Sequence, residues 1–486
     1  MKRCLISLFA PIALVACGAP DYQAPAPVEA NAASIGEEVL ANRLAEAIRI
    51  PTVSRKDVPD HNAEAFATFR AWMETTYPRT FATLEATEMG HGSVWLTLPG
   101  RDTSLAPAVF LAHQDVVPVE PGTEDGWTYP AFDGTIADGY VWGRGAIDMK
   151  GHLVTLLTAM ETLLEEGYEP VRTLHLGLTH DEEVGGLGAQ AMAAWLEARG
   201  ERAWFVLDEG GSMVLDMPLT DAPAALVGVA EKGFLTVEVT ARARGGHSSS
   251  PPDRTAVGLL GRAIVQIEEH PFEMSLEGGP VGEMLMALSG DMDGMQGLAA
   301  SHPGIFGGLI VNAMKEDDAP RAMLGTTIAP TVITGGVVEN VLPQEARALI
   351  NLRLHPRTDA DAAIDHLRSA VADLEGVTVE PWSAWSDAPP VAATQGPAWD
   401  LIAGAAASHA PEGTPVAPML LVATTDSRAF AGVAENLYRY SPARIEMDDL
   451  SRIHGTDERM RTSNLPLMVS YFRTVLAGAG DTGAPD

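Results

Sequence analysis

Three apolar segments of this chain, each predicted to be a β-strand, end directly in polar side chains, and this pattern restricts the fold more than any other feature. The segments are Ala108–Ala112, which runs into His113; Thr173–Thr179, which runs into 180–183; and Trp204–Leu207, which runs into Asp208. Stretches with helical spacing of apolar residues, Gly151–Glu166 and Leu187–Arg199, separate them. The alternation predicts an α/β fold, with a mixed, mainly parallel sheet flanked by helices. Polar groups then gather at the carboxyl ends of its strands, where such sheets keep their sites.

The pattern changes near Phe234, where a cleanly alternating strand, Leu235–Thr240, begins. Helical stretches and a second strand-like segment follow, and the α/β pattern returns after Pro381. We therefore predict a main catalytic domain in two parts, 36–233 and 381–486, with an inserted α+β domain at 234–380.

The N-terminus has a short basic head followed by an apolar run, which is typical of a signal peptide covering residues 1–16. The run Leu14-Val15-Ala16-Cys17 resembles a bacterial lipobox, in which the Cys becomes the lipidated first residue; an ordinary signal peptide with an incidental Cys is the alternative. Residues 17–35 are rich in Ala and Pro and predict a lipidated tether. We expect an exported lipoprotein, anchored in a membrane through Cys17 and facing the periplasm or the extracellular side. Cleavage would also remove Cys4 and leave no pair for a disulfide.

The formal net charge of −33 argues against nucleic acid as a partner. Phosphate binding requires clustered Lys and Arg side chains, and the acidity mostly indicates a solvated surface. Some of the carboxylates need another explanation, because they directly follow apolar strands.

Two adjacent carboxylates, Glu182 and Glu183, form the sharpest local signal. Such a pair at a strand end is repulsive unless cations or protons compensate its charge. Because adjacent side chains point in different directions, one could bind a metal while the other acts as a general base toward water. The alternative is a solvated pair in a loop.

Other candidates are ambiguous when each is taken alone. His113 and Asp115 could be an imidazole held by a carboxylate, or a surface pair at the start of a loop. Asp148, in a Gly-rich loop, could bridge two cations or cap the following helix. Asp208 follows an apolar run in which an unpaired carboxylate is costly, and His454 has no local signal of its own. Together, two histidines and three carboxylates suit two divalent ions, with zinc first and cobalt or manganese as alternatives.

Five motifs carry a family resemblance, and they occur in the family's order. They are His113-Gln-Asp-Val-Val-Pro118, the loop Gly143–Gly151, His180-Asp-Glu-Glu-Val-Gly-Gly186, Leu207-Asp-Glu-Gly-Gly211 and Ile453-His-Gly455. From about Gly36 to Leu476 the chain resembles the di-zinc metallopeptidases of clan MH, which include aminoacylase, carboxypeptidase G and carboxypeptidase S. The branch it is most similar to is that of carboxypeptidase S and the N-acyl amino acid hydrolases.

The resemblance implies a role for each metal-competent residue. Asp148 would bridge two Zn²⁺ ions, with a cis peptide bond between Asp148 and Met149. His113 and Asp208 would complete one metal site, and Glu183 and His454 the other. Glu182 would be the general base, and Asp115 would orient His113.

The inserted segment resembles the family's lid and dimerisation domain, which implies a homodimer. His247 would reach the partner subunit's site and stabilise the oxyanion; Asn340 and Arg353 would hold the substrate, with Arg353 a candidate for binding its carboxylate through two hydrogen bonds. The alternatives are a turn histidine, a loop asparagine and a salt-bridged strand arginine. Arg428 could contact substrate or form a structural ion pair. Seven Met residues between Met274 and Met323 could fill a core or provide an adaptable apolar surface for a long acyl chain.

We expect a metal-dependent carboxypeptidase or aminoacylase that cleaves the amide bond of small peptides or N-acyl amino acids next to a free carboxylate. A dipeptidase within the same family is one alternative. A binding protein that kept the fold but lost the chemistry is the other.

Overall fold

A computed structural model describes residues 22–32, 35–55, 62–90 and 92–481. Its helices are α1 Glu37–Ile48, α2 Ala63–Thr76, α3 Pro78–Thr83, α4 Lys150–Glu165, α5 Leu187–Glu197, α6 Ala256–Glu269, α7 Val281–Leu288, α8 Gly294–Ala300, α9 Pro303–Met314, α10 Asp318–Ala322, α11 Ala360–Ala370, α12 Pro397–His409, α13 Met447–Leu450 and α14 Asn464–Asp481. Its strands are β1 Glu85–Met89, β2 Ser93–Leu98, β3 Ala108–His113, β4 Thr135–Ala137, β5 Tyr140–Trp142, β6 Leu174–Thr179, β7 Phe205–Asp208, β8 Met213–Met217, β9 Ala222–Glu231, β10 Gly233–Arg242, β11 Gly246–His247, β12 Thr327–Gly335, β13 Val341–Leu342, β14 Glu345–Leu354, β15 Val377–Pro381, β16 Val416–Leu421, β17 Leu437–Arg439, β18 Arg444–Ile445 and β19 Arg459–Arg461.

The large sheet has the order β1-β2-β6-β3-β7-β17-β9-β8-β18, with β16 paired to β9. Its centre, β6-β3-β7-β17, is parallel. Strand β2 runs antiparallel to β6 and β9 antiparallel to β17, and the edge strand β1 runs antiparallel to β2. Helices such as α4 and α14 pack against it and bury most of their residues. The predicted mixed, mainly parallel sheet flanked by helices is confirmed.

The parallel centre places three chain segments with polar ends side by side. Because β6, β3 and β7 are neighbours that run in the same direction, their carboxyl ends meet at one edge of the sheet. The polar groups that follow these strands in the sequence therefore converge there.

A second sheet has the antiparallel order β12-β14-β10-β15, with α6 and α11 packed on one face. Its core is made by alternate residues of each strand, such as Leu235, Val237 and Val239 of β10, as the sequence alternation predicts. We call this sheet with α6, α11 and the short ribbon β11–β13 the lid.

The helices α7–α9 lie within the segment 234–380, yet their buried residues do not belong to the core of the lid sheet. Their buried residues, including Val281, Leu285 and Ile310, belong to the core of the large sheet, and α7 packs on β16. The lid is therefore smaller than the predicted inserted domain, because these helices bury their apolar faces against the main domain. Most of the Met residues of this region fill that core: Met284 and Met314 are buried, whereas Met295 is 68% exposed.

Residues 22–32, which fall in the predicted tether 17–35, are in contact with the main domain. The amide of Val28 donates to the carbonyl of Gly404 (3.3 Å), and Asn31 accepts hydrogen bonds from the guanidinium of Arg473. This part of the tether therefore lies along α12 and α14. The predicted signal peptide 1–16 and Cys17 lie outside the described residues. No helix in the described part of the chain has the length and apolar composition needed to cross a membrane.

Candidate metal centre

Four of the five predicted metal ligands are in direct contact. The carboxylate of Asp148 lies between two histidines, with Oδ1 2.9 Å from His113 Nε2 and Oδ2 2.9 Å from His454 Nε2. Oε2 of Glu183 is 3.2 Å from the same nitrogen of His454. Ligand atoms of His113, Asp148 and Glu183 all lie within 4.8 Å of one another. A carboxylate flanked by one histidine on each side is an arrangement that can bridge two cations.

The fifth predicted ligand, Asp208, makes different contacts. It is buried at the end of β7, where Oδ1 accepts a hydrogen bond from the amide of Glu209 (2.9 Å) and Oδ2 from the amide of Ser427 (2.7 Å). Instead, Oε1 of Glu209 lies 3.2 Å from His113 Nε2. Glu209 is a site residue that the sequence reasoning missed. The signal was present in the same form as for Glu182 and Glu183, namely two adjacent acids after a buried strand.

Asp115 is buried behind His113 and also holds the turn that carries the two glutamates. Nδ1 of His113 is 2.9 Å from the main-chain oxygen of Asp115 and 3.4 Å from its carboxylate. The carboxylate itself accepts hydrogen bonds from the hydroxyl of Ser54 (2.6 Å) and from the amides of Glu182 and Glu183 (3.2 Å each). The main-chain carbonyl is thus the closer partner of the imidazole, and the carboxylate positions the adjacent turn.

Asp148 sits in the Gly-rich loop ahead of α4. Gly145, at φ +86°, takes a left-handed conformation that favours glycine, and its amide donates to Oε2 of Glu458 at 3.0 Å. The amides of Ile147 and Asp148 donate to Oε1 of the same carboxylate. The peptide bond between Asp148 and Met149 is cis, as the resemblance implies. The N-cap alternative for Asp148 is wrong, because the helix begins at Lys150 with no side-chain cap.

The charges of the site are unbalanced. Burial raises the pKa of Glu182 well above its usual range and raises the pKa of Glu209 to about 8. It also raises to about 8 the pKa of Asp426, a buried carboxylate that accepts a hydrogen bond from the hydroxyl of Thr179 at the end of β6. Hydrogen bonds to Asp148 and Glu183 raise the pKa of His454 to about 10. Buried carboxylates in such excess over cationic side chains are costly unless other positive charges compensate them.

The donor set therefore fits divalent metal ions. Oε1 of Glu183 is buried without a hydrogen-bond partner in the described part of the chain, so it is free to bind a cation. Imidazole nitrogens and carboxylate oxygens are donors that zinc prefers, and that cobalt and manganese also accept. The carboxylate of Glu182 makes no hydrogen bond to any described residue, so it is available to accept a proton.

The predicted lid residues lie in two places. His247 and Asn340 are exposed neighbours on the ribbon β11–β13, where the amide of Ser248 donates to the Asn340 carbonyl. Nδ1 of His247 accepts a hydrogen bond from the amide of Ser249 (3.1 Å), so the ring proton of a neutral His247 is on Nε2. Within the described residues, neither His247 nor Asn340 contacts the metal-competent cluster.

Arg353, on β14, stacks over the ring of Phe234 with 5.2 Å to its centroid. The pKa of Arg353 is lowered mainly by burial and secondly by the positive charge of Arg428. The two half-buried guanidiniums are therefore close enough to repel each other. Neither guanidinium has a hydrogen-bond acceptor in the described part of the chain. Two such groups at one place favour the binding of an anion.

The fold and this cluster define a class, the metal-dependent amide hydrolases. Residues 109–478 match the model of peptidase family M20/M25/M40. This chain belongs to that family.

Relatives and solved structures agree with this family. The chain is 33% identical over 451 residues to N-fatty-acyl-amino acid synthase/hydrolase PM20D1 of Homo sapiens, covering 92% of this chain and 89% of that protein. It is 31% identical over 440 residues to a probable carboxypeptidase S-like 2 of Dictyostelium discoideum, covering 89% and 83%. The fold matches that of the M20 family metallo-carboxypeptidase Sso-CP2 from Sulfolobus solfataricus, with a TM-score of 0.65 at 18% identity, over 92% of this chain and all of that one.

Proposed function

We propose that this protein is a two-zinc hydrolase that splits N-acyl amino acids into a carboxylic acid and a free amino acid. The proposal depends above all on the contact of Asp148 with both His113, which is buried, and His454, which is half exposed, next to the unpartnered carboxylate of Glu182. His113 and Asp208 would hold one ion and Glu183 and His454 the other. Because Glu209 also contacts His113, it is a competing ligand to Asp208.

Bound divalent ions would polarise the amide carbonyl and make a neighbouring water acidic enough to attack at neutral pH. Glu182 would accept one proton of that water as its oxygen forms a bond to the carbonyl carbon. It would then pass the proton to the amine nitrogen as the C–N bond breaks, so that the base is regenerated. The high pKa that burial gives Glu182 suits a group that must both take and release a proton.

The free carboxylate of the substrate would bind to the guanidinium of Arg353, with Arg428 beside it. A carboxylate would supply the acceptor that these half-buried groups lack, and it would relieve their mutual repulsion. Asn340 and the Nε2–H of His247 would be supplied to the site from the lid.

The relatives support N-acyl amino acids, rather than peptides, as the proposed substrates of this protein. The name of the human relative refers to N-fatty-acyl amino acids, and the alignment with it spans nearly the whole of both chains. A second candidate is carboxypeptidase activity on small peptides, which is supported by the carboxypeptidase S-like relative at comparable identity.

We also propose a homodimer that forms through the lid. Strand β12 is the edge of the lid sheet, and it exposes Val332 and Ile333 (46% and 65%). The adjoining turn exposes Val337 at 92%. An exposed apolar sheet edge invites pairing with a second chain, and His247 and Asn340 lie on the ribbon next to this turn.

The cellular location is proposed from the sequence: the lipobox at Cys17 supports export and lipid anchoring, with the enzyme facing the periplasm or the extracellular side.

The proposed activity can be tested directly. The purified chain should be assayed, with and without chelator, on N-acetyl-methionine, N-oleoyl-phenylalanine and a dipeptide such as Ala-Met. Release of amino acid that is abolished by chelator and restored by zinc is expected, with the N-acyl compounds preferred. Zinc binding without hydrolysis of any of the three would instead identify a binding protein, and preference for Ala-Met would identify a peptidase.

A further inference from the structure

The segment between Asp293 and Lys315 contains no Asp, Glu, Lys or Arg. In a chain whose residues are 20% charged, an uncharged run of this length is unusual for a surface region. It forms the helices α8 and α9, which pack on each other and which we call the apolar hairpin.

One face of the apolar hairpin is buried and the other exposes large apolar side chains. Ile310 and Met314 point into the core of the large sheet. On the outer face, Ile305 and Leu309 are one helical turn apart and are 58% and 61% exposed. On α8, which packs against α9, Met295 and Leu298 are three residues apart and are 68% and 46% exposed, so each helix of the apolar hairpin has a pair of exposed apolar side chains at helical spacing.

The N-terminal chain approaches this region. Tyr22, the first described residue, donates a hydrogen bond from its hydroxyl to the carbonyl of Val416 at the start of β16. The pKa of Tyr22 is raised mainly by burial and secondly by the negative charge of Glu283 on α7, so the two residues are neighbours. Helix α7 packs on β16 and contacts both helices of the apolar hairpin.

The length of chain ahead of Tyr22 fixes how far a lipid anchor can be from this place. Five peptide units join Cys17 to Tyr22, which span at most about 18 Å when fully extended. A membrane that holds the acyl chains of Cys17 must therefore pass close to α7.

We propose that the outer face of the apolar hairpin docks on the surface of the lipid bilayer that holds the Cys17 anchor. The net charge of −33 makes attraction to anionic headgroups unfavourable, so docking depends on insertion of apolar side chains into the interface. The anchor and the hairpin act as two contacts with one bilayer, which suffices for stable membrane association where a single weak contact does not. The inference rests on the proposed lipid anchor and is independent of the hydrolytic activity.

The test uses the fact that Cys4 and Cys17 are the only cysteines of the sequence. In the processed lipoprotein, a Leu309→Cys substitution adds a single reactive thiol for an environment-sensitive fluorophore. The lipidated full chain is placed on phosphatidylcholine vesicles that contain brominated phosphatidylcholine, whose bromines quench a fluorophore within the acyl region. Val265→Cys on the lid helix α6, which is 50% exposed and is not part of the proposed dimer edge β12, is the control.

We expect a blue shift and a loss of roughly half or more of the fluorescence at position 309, since interfacial helices bury their apolar face about 5–10 Å deep. We expect no quenching at position 265. Equal, weak quenching at both positions overturns the proposal. So does a change at position 309 that follows protein concentration without lipid, because a second copy of the chain would then cover the hairpin. Turnover of water-soluble N-acetyl-methionine by the same samples reports separately on the proposed hydrolase function.

Discussion

Arg144 and Glu458, 314 residues apart, form a fully buried ion pair with 2.7 Å between Nη1 and Oε2. The Glu458 carboxylate also accepts the amides of the loop that carries Asp148. The second guanidinium nitrogen of Arg144 donates to the carbonyls of His454 (3.0 Å) and Gly455 (2.9 Å). His454 has φ +61°, a conformation that is unfavourable for a residue with a side chain and must be held by its surroundings. The pair therefore fixes the positions of two proposed ligands from opposite ends of the chain.

From this arrangement we predict that Glu458→Gln weakens zinc binding by roughly 10- to 100-fold, the usual effect of losing a group that positions metal ligands. The substitution keeps the shape but leaves Arg144 buried without its counter-charge. The free energy of unfolding should also fall, by about 3–5 kcal/mol. Zinc titration of the metal-free variant by calorimetry measures the first effect, and urea unfolding the second.

Glu161→Gln is the matched control. Glu161 is another buried carboxylate that accepts main-chain amides, those of Arg79 (3.0 Å) and Thr80 (2.8 Å), but it lies on α4 away from the cluster. The Glu161→Gln variant should have a lower free energy of unfolding than the wild type, while its zinc affinity stays at the wild-type value. If the two variants bind zinc equally well, Arg144 and Glu458 are a structural pair only.

A second prediction separates the adjacent glutamates. Glu182→Gln should lower kcat by about 10²–10⁴-fold, the usual contribution of a general base, while bound zinc stays at the wild-type level. Glu183→Gln should reduce zinc binding first, because its carboxylate contacts His454 and Asp148 is close by. Metal analysis beside steady-state kinetics tests both. A Glu182→Gln enzyme of full activity, or one that has lost its zinc, would reverse the assignment.

A third prediction concerns the substrate carboxylate. Arg353→Gln should raise KM for an N-acyl amino acid by roughly 10- to 100-fold, since a hydrogen bond to a charged group contributes about 1.5–3 kcal/mol. The corresponding amino acid amide, which has no carboxylate, should be affected little. Arg347→Gln is the control on the same strand, because Arg347 is already paired with Glu345 and Glu238. Equal effects on acid and amide would remove the assigned role from Arg353.

Much of the fold was predictable because β3, β6 and β7 each combine an apolar run with a polar end. That combination identifies buried parallel strands and the edge at which their ends meet. The position of α7–α9 was not predictable in the same way. Apolar residues at helical spacing indicate that a helix buries one face, but they do not say which of two sheets it packs on.

The site shows a similar division. The motifs identified Asp148, Glu182 and Glu183 as members of one cluster. Which of Asp208 and Glu209 faces His113 depends on the amide of Ser427, which holds the Asp208 carboxylate from more than two hundred residues away. A contact of that separation leaves no trace in the local sequence, and the same is true of the partnership between Arg144 and Glu458.

A fourth prediction follows from His175, a buried histidine on β6 that stacks on Trp95 with 4.7 Å between ring centroids. Burial, and then the charge of Arg199, lower its pKa to about 3. Between pH 6.5 and 3 the unfolded chain binds a proton that the folded chain does not, so this group destabilises the fold as the pH falls through that window. At pH 5 the penalty is about 2 kcal/mol, from 1.36 kcal/mol per pH unit. His175→Phe should remove this pH-dependent part, as judged by urea unfolding of the metal-free proteins at about pH 7.5 and about pH 5. The same difference between variant and wild type at both pH values would contradict the prediction.

The last prediction tests whether His247 serves the partner's site. His247 lies on an exposed ribbon and its Nε2–H has no acceptor in the described residues, so a neutral His247 is free to donate a hydrogen bond to a developing oxyanion in the partner's site. His247→Ala and Glu182→Ala proteins should each be nearly inactive. When they are mixed in equal amounts and exchange subunits, half of the dimers are mixed, and one of the two sites in each is intact, so about a quarter of wild-type activity should return. Size-exclusion chromatography of differently tagged chains verifies that mixed dimers form, and mixed dimers without any regained activity would show that His247 acts within its own subunit or not at all.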